Sequence, residues 1–202
     1  MRARWLLVPL VVVSLVGCSS SKDDDTPSKG ASGSSSTTSS STTSTSSTTS
    51  TVPFEGSTDA VQLPVGTTHT ALLTGVTVEH LGAVDRVTFQ FRDVGFPGAH
   101  VEYVAKPTED GSGAPVKVAG GAYLQVRLSP AAGADLTGEE AKPTYTGPAR
   151  VTGDGTKAIT EVVRSGDFEG VLSWVIGIRS KAAFRLSTVP DPSRVIVDIA
   201  AP

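Results

Sequence analysis

Through the second two thirds of the chain, apolar and polar residues alternate with a period of two. In "VTFQFRD", Val87, Phe89 and Phe91 fall on one side and Thr88, Gln90 and Arg92 on the other. "YLQVRLS" sets Leu124, Val126 and Leu128 against Tyr123, Gln125 and Arg127. "RVIVDI" sets Val195, Val197 and Ile199 against Arg194, Ile196 and Asp198. Successive side chains of a strand point to opposite faces, so each segment predicts a strand with one buried and one solvent-facing side. "TALLTGVTVEH", "HVEYVA", "PVKVA", "KAITEVVRS", "GVLSWVIGIR" and "AFRLSTV" predict further strands, with turns at "FPG", "EDGSG", "GDG" and "PDP". The best helical stretch is a short turn in "PAAGADLTGEEA", and its glycines count against it. Many short strands punctuated by Gly and Pro predict an all-β domain, a two-sheet sandwich or a closed barrel.

The N-terminal pattern is different. Arg2 and Arg4 precede an apolar run over residues 5–16, which is short for a membrane span and ends in Gly17 and Cys18. The tetrad Leu15-Val16-Gly17-Cys18 resembles a bacterial lipobox. A small residue before the cut fits a narrow peptidase pocket, and the thiolate can take a diacylglyceryl group as a thioether. The expectation is a signal peptide over 1–17 and a lipidated Cys18 that holds the protein at the extracytoplasmic face of the cell membrane. Two or more acyl chains give stable anchoring. Cys18 is the only cysteine in the sequence, so the exported part needs neither a disulfide nor a cysteine nucleophile. Residues 34–51 are all Ser or Thr, and 19–33 are polar and rich in breakers. Such a stretch cannot bury enough apolar surface to offset chain entropy, so 18–51 reads as a disordered linker and 52–202 as the folded domain.

Charge and composition narrow the function. A net charge of −3 gives no basic field for nucleic acid. No Gly-x-Ser-x-Gly elbow, P-loop or Gly-x-Gly-x-x-Gly occurs. His69, His80 and His100 lack the spacing of a zinc motif, and Asp23, Asp24 and Asp25 lack that of a calcium loop. The expectation is a non-enzyme without metal or cofactor.

Three segments, "VDRVTFQF", "GDFEGVLSWVIGI" and "FRLSTVPDPSRVIVDI", resemble the AMIN-like domain of lipoproteins from high-GC Gram-positive bacteria, a relative of the AMIN domain found beside cell-wall amidases and secretins. The resemblance covers roughly residues 67–202. It implies a β-sandwich that binds peptidoglycan or positions a partner there, with no chemistry of its own. Unlike the amidase architecture, no catalytic domain accompanies it in this sequence.

The candidate chemistry is sparse. Asp167 and Glu169 in "GDFEG" would share a strand face, with Phe168 toward the core, and a split pair could serve as acid and base. A plain solvent-facing edge is the favoured reading, because nothing else catalytic accompanies the pair. Trp174 alternates with Leu172, Ile176 and Ile178 and belongs to the core, whereas Tyr103, Tyr123 and Tyr145 are candidates for exposure. The face of Tyr123, Gln125 and Arg127 could bind glycan hydroxyls and peptide carboxylates, but ordinary solvated sheet is the simpler reading. Arg86, Arg194 and Asp198 carry the resemblance. Their simplest role is an Arg-Asp pair that fixes strand register, and their alternative role is to clamp stem-peptide carboxylates. The candidate ligand-binding residues are therefore Arg86, Tyr123, Arg127 and Arg194. The expected function is a membrane-anchored module that binds peptidoglycan or another wall polymer. The alternative is a scaffold that docks an envelope protein, for example by strand addition.

Overall fold

Most of the alternating segments pair into sheets because each has one apolar side to bury. The computed structural model describes residues 54–202; the expected signal peptide (1–17), Cys18 and the linker (18–51) lie outside the described residues. In chain order the strands are β1 (Val61–Leu63), β2 (Ala71–Leu81), β3 (Val84–Phe91), β4 (Gly98–Val104), β5 (Ala122–Ser129), β6 (Ala131–Ala132) and β7 (Ala134–Asp135). They continue with β8 (Lys142–Pro143), β9 (Arg150–Thr152), β10 (Ile159–Phe168), β11 (Val171–Ile178), β12 (Phe184–Pro190) and β13 (Ser193–Ala200). No helix forms among the described residues.

One sheet has the order β1-β4-β5-β11-β10-β9, and a second has the order β12-β13-β3-β2-β6. Each is open, with an edge strand at either end, which decides for a sandwich over a closed barrel. All neighbours are antiparallel except β2 and β6, and β7 and β8 form a separate ribbon. Register places Leu124, Val126 and Leu128 opposite Ile176, Trp174 and Leu172 on the inner face of the first sheet. Val87 and Phe89 stand opposite Val197 and Val195 on the inner face of the second. The two faces meet in one core, where the rings of Phe89 and Trp174 are 5.9 Å apart. Each fully buried Leu, Ile, Val or Phe stabilises by about 1.5–3 kcal/mol over its exposed state.

Asp85 closes one end of the sandwich. It sits on β3 with inward parity and is fully buried. One carboxylate oxygen accepts from the N–H groups of Lys157 (2.8 Å), Ala158 and Ile159 (3.1 Å), where β10 begins in the opposite sheet. The other is bonded to His80 Nδ1 at 2.6 Å. Burial by itself raises this carboxyl, but the Ala158, His80, Ile159 and Lys157 donors outweigh it and hold it below the usual carboxylate range.

Several expectations change. "PAAGADLTGEEA" contains no helical turn; it supplies β6 and β7. "PVKVA" is not a strand. It lies in the β4–β5 connection, residues 105–121, whose one ladder-like contact is the Thr108–Pro115 bridge. The polar faces of the central strands are only partly solvated: Gln125 is 3 % exposed, Ile196 6 % and Asp198 1 %. The outer face of the first sheet is covered by the β4–β5 connection. Gly177 and Gly166 permit this, because a Cβ at Gly177 would collide with Ala119 O and one at Gly166 would stand 2.6 Å from Asp110 Oδ2. On the outer face of the second sheet, Arg86 and Arg185 close over Asp198.

Candidate functional site

The β4–β5 connection is a strap bound to the sheet by its arms and its tip. Ala119 N–H donates to Glu161 Oε1 (2.5 Å), and Thr160 Oγ1 donates to Ala119 O. Arg150 Nη2 donates to Lys117 O at 2.9 Å while its Nη1 pairs with Glu161 at 2.5 Å. Burial raises the Glu161 carboxyl, but Arg150 and the Ala119 N–H overcome this and keep it below its ordinary value, so the anchor is ionised at neutral pH.

Between the two arms of the strap and the ends of β5, β9 and β10 lies a groove of about 630 Å³. Tyr123 forms part of its wall, with its hydroxyl donating to Gly120 O at 3.2 Å. Pro107, Pro115, Val116 and Val118 add apolar surface. Lys106, Lys117 and Arg150 supply positive charge, and Glu161 is the acidic residue of the lining. Among the described residues, neither lysine has an ion-pair partner. Free ammonium groups beside an apolar and aromatic wall suit a ligand with carboxylate or phosphate groups on an amphipathic body.

The four ligand candidates do not converge. Tyr123 and Arg127 share the outer face of the first sheet, four residues or about 13 Å apart along β5. Arg127 is paired with Glu102 at 3.1 Å, next to His100, and borders a second groove of about 360 Å³. Arg86 and Arg194 are on the outer face of the other sheet. Arg86 grips Asp198 through both carboxylate oxygens (2.6 and 3.0 Å), and Arg185 adds a third bond at 2.8 Å. Burial raises Asp198, and the two guanidinium groups outweigh it and hold its carboxyl down. This arrangement matches the register-fixing role. Arg194 lies opposite Gln90 and Val189, and its Nε is buried without a partner among the described residues.

The aromatic expectations divide. Trp174 is in the core at 0 % exposure, as its alternation predicts. Tyr145, a candidate for exposure, is buried edge-on against Trp174 at 5.6 Å, with its hydroxyl donating to Pro148 O. Tyr103 is half-buried, with its hydroxyl donating to Ala182 O at 2.7 Å and its ring against Phe184. Both serve the sandwich. Tyr123 alone of the three lies in a groove wall.

The "GDFEG" pair is altered by a bulge. Register slips between Arg164 and Gly166, so the parity of the last residues of β10 inverts and Phe168, expected in the core, is 58 % exposed. Asp167 accepts from Gly133 N–H at 3.0 Å, and Glu169 occupies the β10–β11 turn with φ 52°. The two do not form an acid–base pair on a strand face. They line a cavity of about 450 Å³ at that end of the sandwich, with His69, Arg92, Asp93 and Asp135. There the Thr137 hydroxyl and N–H, with Arg92 at 3.1 Å, hold the Asp135 carboxyl at about 2. Among the described residues, no three His, Cys, Asp or Glu side chains gather as a metal site.

Sequence reasoning missed the groove because it treated "PVKVA" as a strand. Lys106 and Lys117 stand on the two arms of the strap and Arg150 on β9, and they carry no common motif. The signal within reach was the pair of glycines, Gly120 and Gly121, just before Tyr123, which end the strap where the chain passes close to β11.

A family model for the AMIN-like domain matches residues 71–201, from the first residue of β2 to just past the end of β13. No curated protein and no solved structure matches the chain. AMIN-like domains are in general non-catalytic, extracytoplasmic binding modules associated with the cell wall. With well over half of the chain covered by that match, this protein belongs to the AMIN-like domain family.

Proposed function

We propose that this protein is a lipoprotein anchored through Cys18 whose domain holds peptidoglycan, or another anionic wall polymer, in the groove beside Tyr123. The observation that carries the reading is the combination of unpaired Lys106 and Lys117 with the Tyr123 wall in one groove of about 630 Å³. Stem-peptide carboxylates meet the ammonium groups, and sugar rings lie against the tyrosine and the prolines. The anchor and the Ser/Thr linker give this groove its reach from the membrane into the wall.

Sedimentation with purified sacculi tests the groove. The full chain co-pellets, and Lys106→Glu with Lys117→Glu lowers the bound fraction and removes its sensitivity to salt. Binding that is indifferent to both substitutions refutes the groove. Labelled palmitate tests the anchor: it enters the wild type and fails to enter Cys18→Ser. A second reading, docking of an envelope protein, is favoured by the outer edge of β12, which among the described residues pairs only at Phe184 with Ser57. Loss of sacculus binding in every form, with one crosslinked partner that a Thr188→Pro change removes, selects that reading.

A further inference from the structure

Beneath the tip of the strap, four polar atoms are buried without a hydrogen-bond partner among the described residues: Asp110 Oδ2, Gln125 Nε2, Ser165 Oγ and Ser173 Oγ. Three of their side chains are nearly inaccessible, with Gln125 at 3 %, Ser165 at 4 % and Ser173 at 0 % exposure. Strand register brings them together. Ser173 on β11 stands opposite Gly166 of β10 on one side and Arg127 of β5 on the other. Gln125, two residues before Arg127, shares that outer face and is diagonal to Ser173. Ser165 is the bulged residue next to Gly166. Asp110 reaches down from the strap, its Oδ2 2.6 Å from the point a Gly166 Cβ would occupy, while its N–H donates to Ser165 O at 3.2 Å. Directly opposed side chains on a sheet are about 5 Å apart and diagonal ones about 7–8 Å, so one small group can meet several of these atoms.

Native proteins rarely leave buried polar atoms unpaired, and an unexplained group of them marks a place where something polar binds. The chemistry of the four selects the guest. Asp110 accepts and carries negative charge, which disfavours an anion. Gln125 Nε2 donates, which disfavours a metal cation. The serine hydroxyls do both. A neutral hydroxyl, itself donor and acceptor, satisfies the set. We propose that Asp110, Gln125, Ser165 and Ser173 form a site for the hydroxyl groups of a neutral sugar, admitted when the tip of the strap lifts. The tip is braced within itself, with Glu109 N–H on Ala114 O (2.8 Å) and Gly113 N–H on Glu109 O (3.0 Å). Its backbone bond to β10 is the single one at Ser165. The choice of a sugar rests on the wall-binding reading, and the site adds uncharged glycan recognition to the charged groove.

Calorimetric titration of the full chain with chitotetraose, an uncharged sugar oligomer, tests the site. The expected result is saturable binding in the millimolar range. Ser165→Ala combined with Ser173→Ala weakens it about tenfold, the value of roughly one hydrogen bond. Asp110→Asn, on the strap and outside the ladder of the sheet, weakens it likewise and serves if the serine variant does not fold. Absence of saturable binding, meaning that the site holds water only, overturns the proposal, as does equal affinity in the serine and Asp110 variants. Sacculus binding that persists without chitotetraose binding overturns this site alone; loss of both overturns the wall-binding reading with it.

Discussion

The two outer faces of the sandwich solve the same problem in opposite ways. On the five-stranded sheet, buried Asp198 is met by Arg86 and Arg185 from the neighbouring strands, and the charges satisfy one another. On the six-stranded sheet, a strap from another part of the chain covers Gln125, Ser165 and Ser173 and leaves their polar atoms unpaired. It also forms a groove whose lysines have no ion-pair partner among the described residues. A face closed by its own ion pairs has little left to offer a ligand. A face closed by a loop keeps both open charge and unspent hydrogen-bonding capacity. The difference is what supports the proposal that the strap-covered side binds while the paired side is structural.

The largest effect should come from breaking the paired face. Asp198→Ala strands two guanidinium groups that keep partial access to solvent, and should lower unfolding free energy by about 3 kcal/mol in urea titrations, the low end for a broken buried pair. An effect under 1 kcal/mol would remove the contrast between the faces. Acid comes next. Asp85 and Asp198 both have folded-state values below the ordinary 3.8. A depressed carboxyl contributes stability that is fully present above its unfolded value and is lost as pH falls through the folded one. Urea midpoints should therefore be level from pH 7 to about 5 and fall below about 4, with a shallower fall in Asp198→Asn.

Smaller changes sharpen the comparison from the other side. Tyr123→Ala should weaken sacculus binding about tenfold while shifting stability by less than about 1 kcal/mol, because its ring lines the groove and not the core. Equal losses of binding and stability would mark Tyr123 as structural. Least of all should follow from Arg194→Ala, which lies on the paired face: sacculus binding unchanged within error, with a stability change of about 1 kcal/mol or less. Loss of binding there, in a domain that melts normally, would move the ligand to the opposite side of the molecule.

The sequence by itself determined the buried faces of the central strands. Alternation at Val87, Phe89 and Phe91, at Leu124, Val126 and Leu128, and at Val195, Val197 and Ile199 predicts the inner faces correctly, and the same logic places Trp174 in the core. Asp198 was legible as the partner of an arginine because the segments that carry them are the most family-like. What the tertiary structure decided is what covers the outer faces. A period of two says that Gln125 points away from Leu124. It does not say whether water or another piece of chain lies there, so the strap over residues 105–121 and the groove it makes have no local signature beyond the Gly120-Gly121 pair that ends the strap. The bulge before Gly166 inverted Phe168 in the same way, since one added residue exchanges the two faces of a strand without altering its composition. Patterning records which side of a strand is apolar, because that preference is local and repeats along the chain. The contents of the other side depend on contacts between residues tens of positions apart, and only the folded chain brings those together.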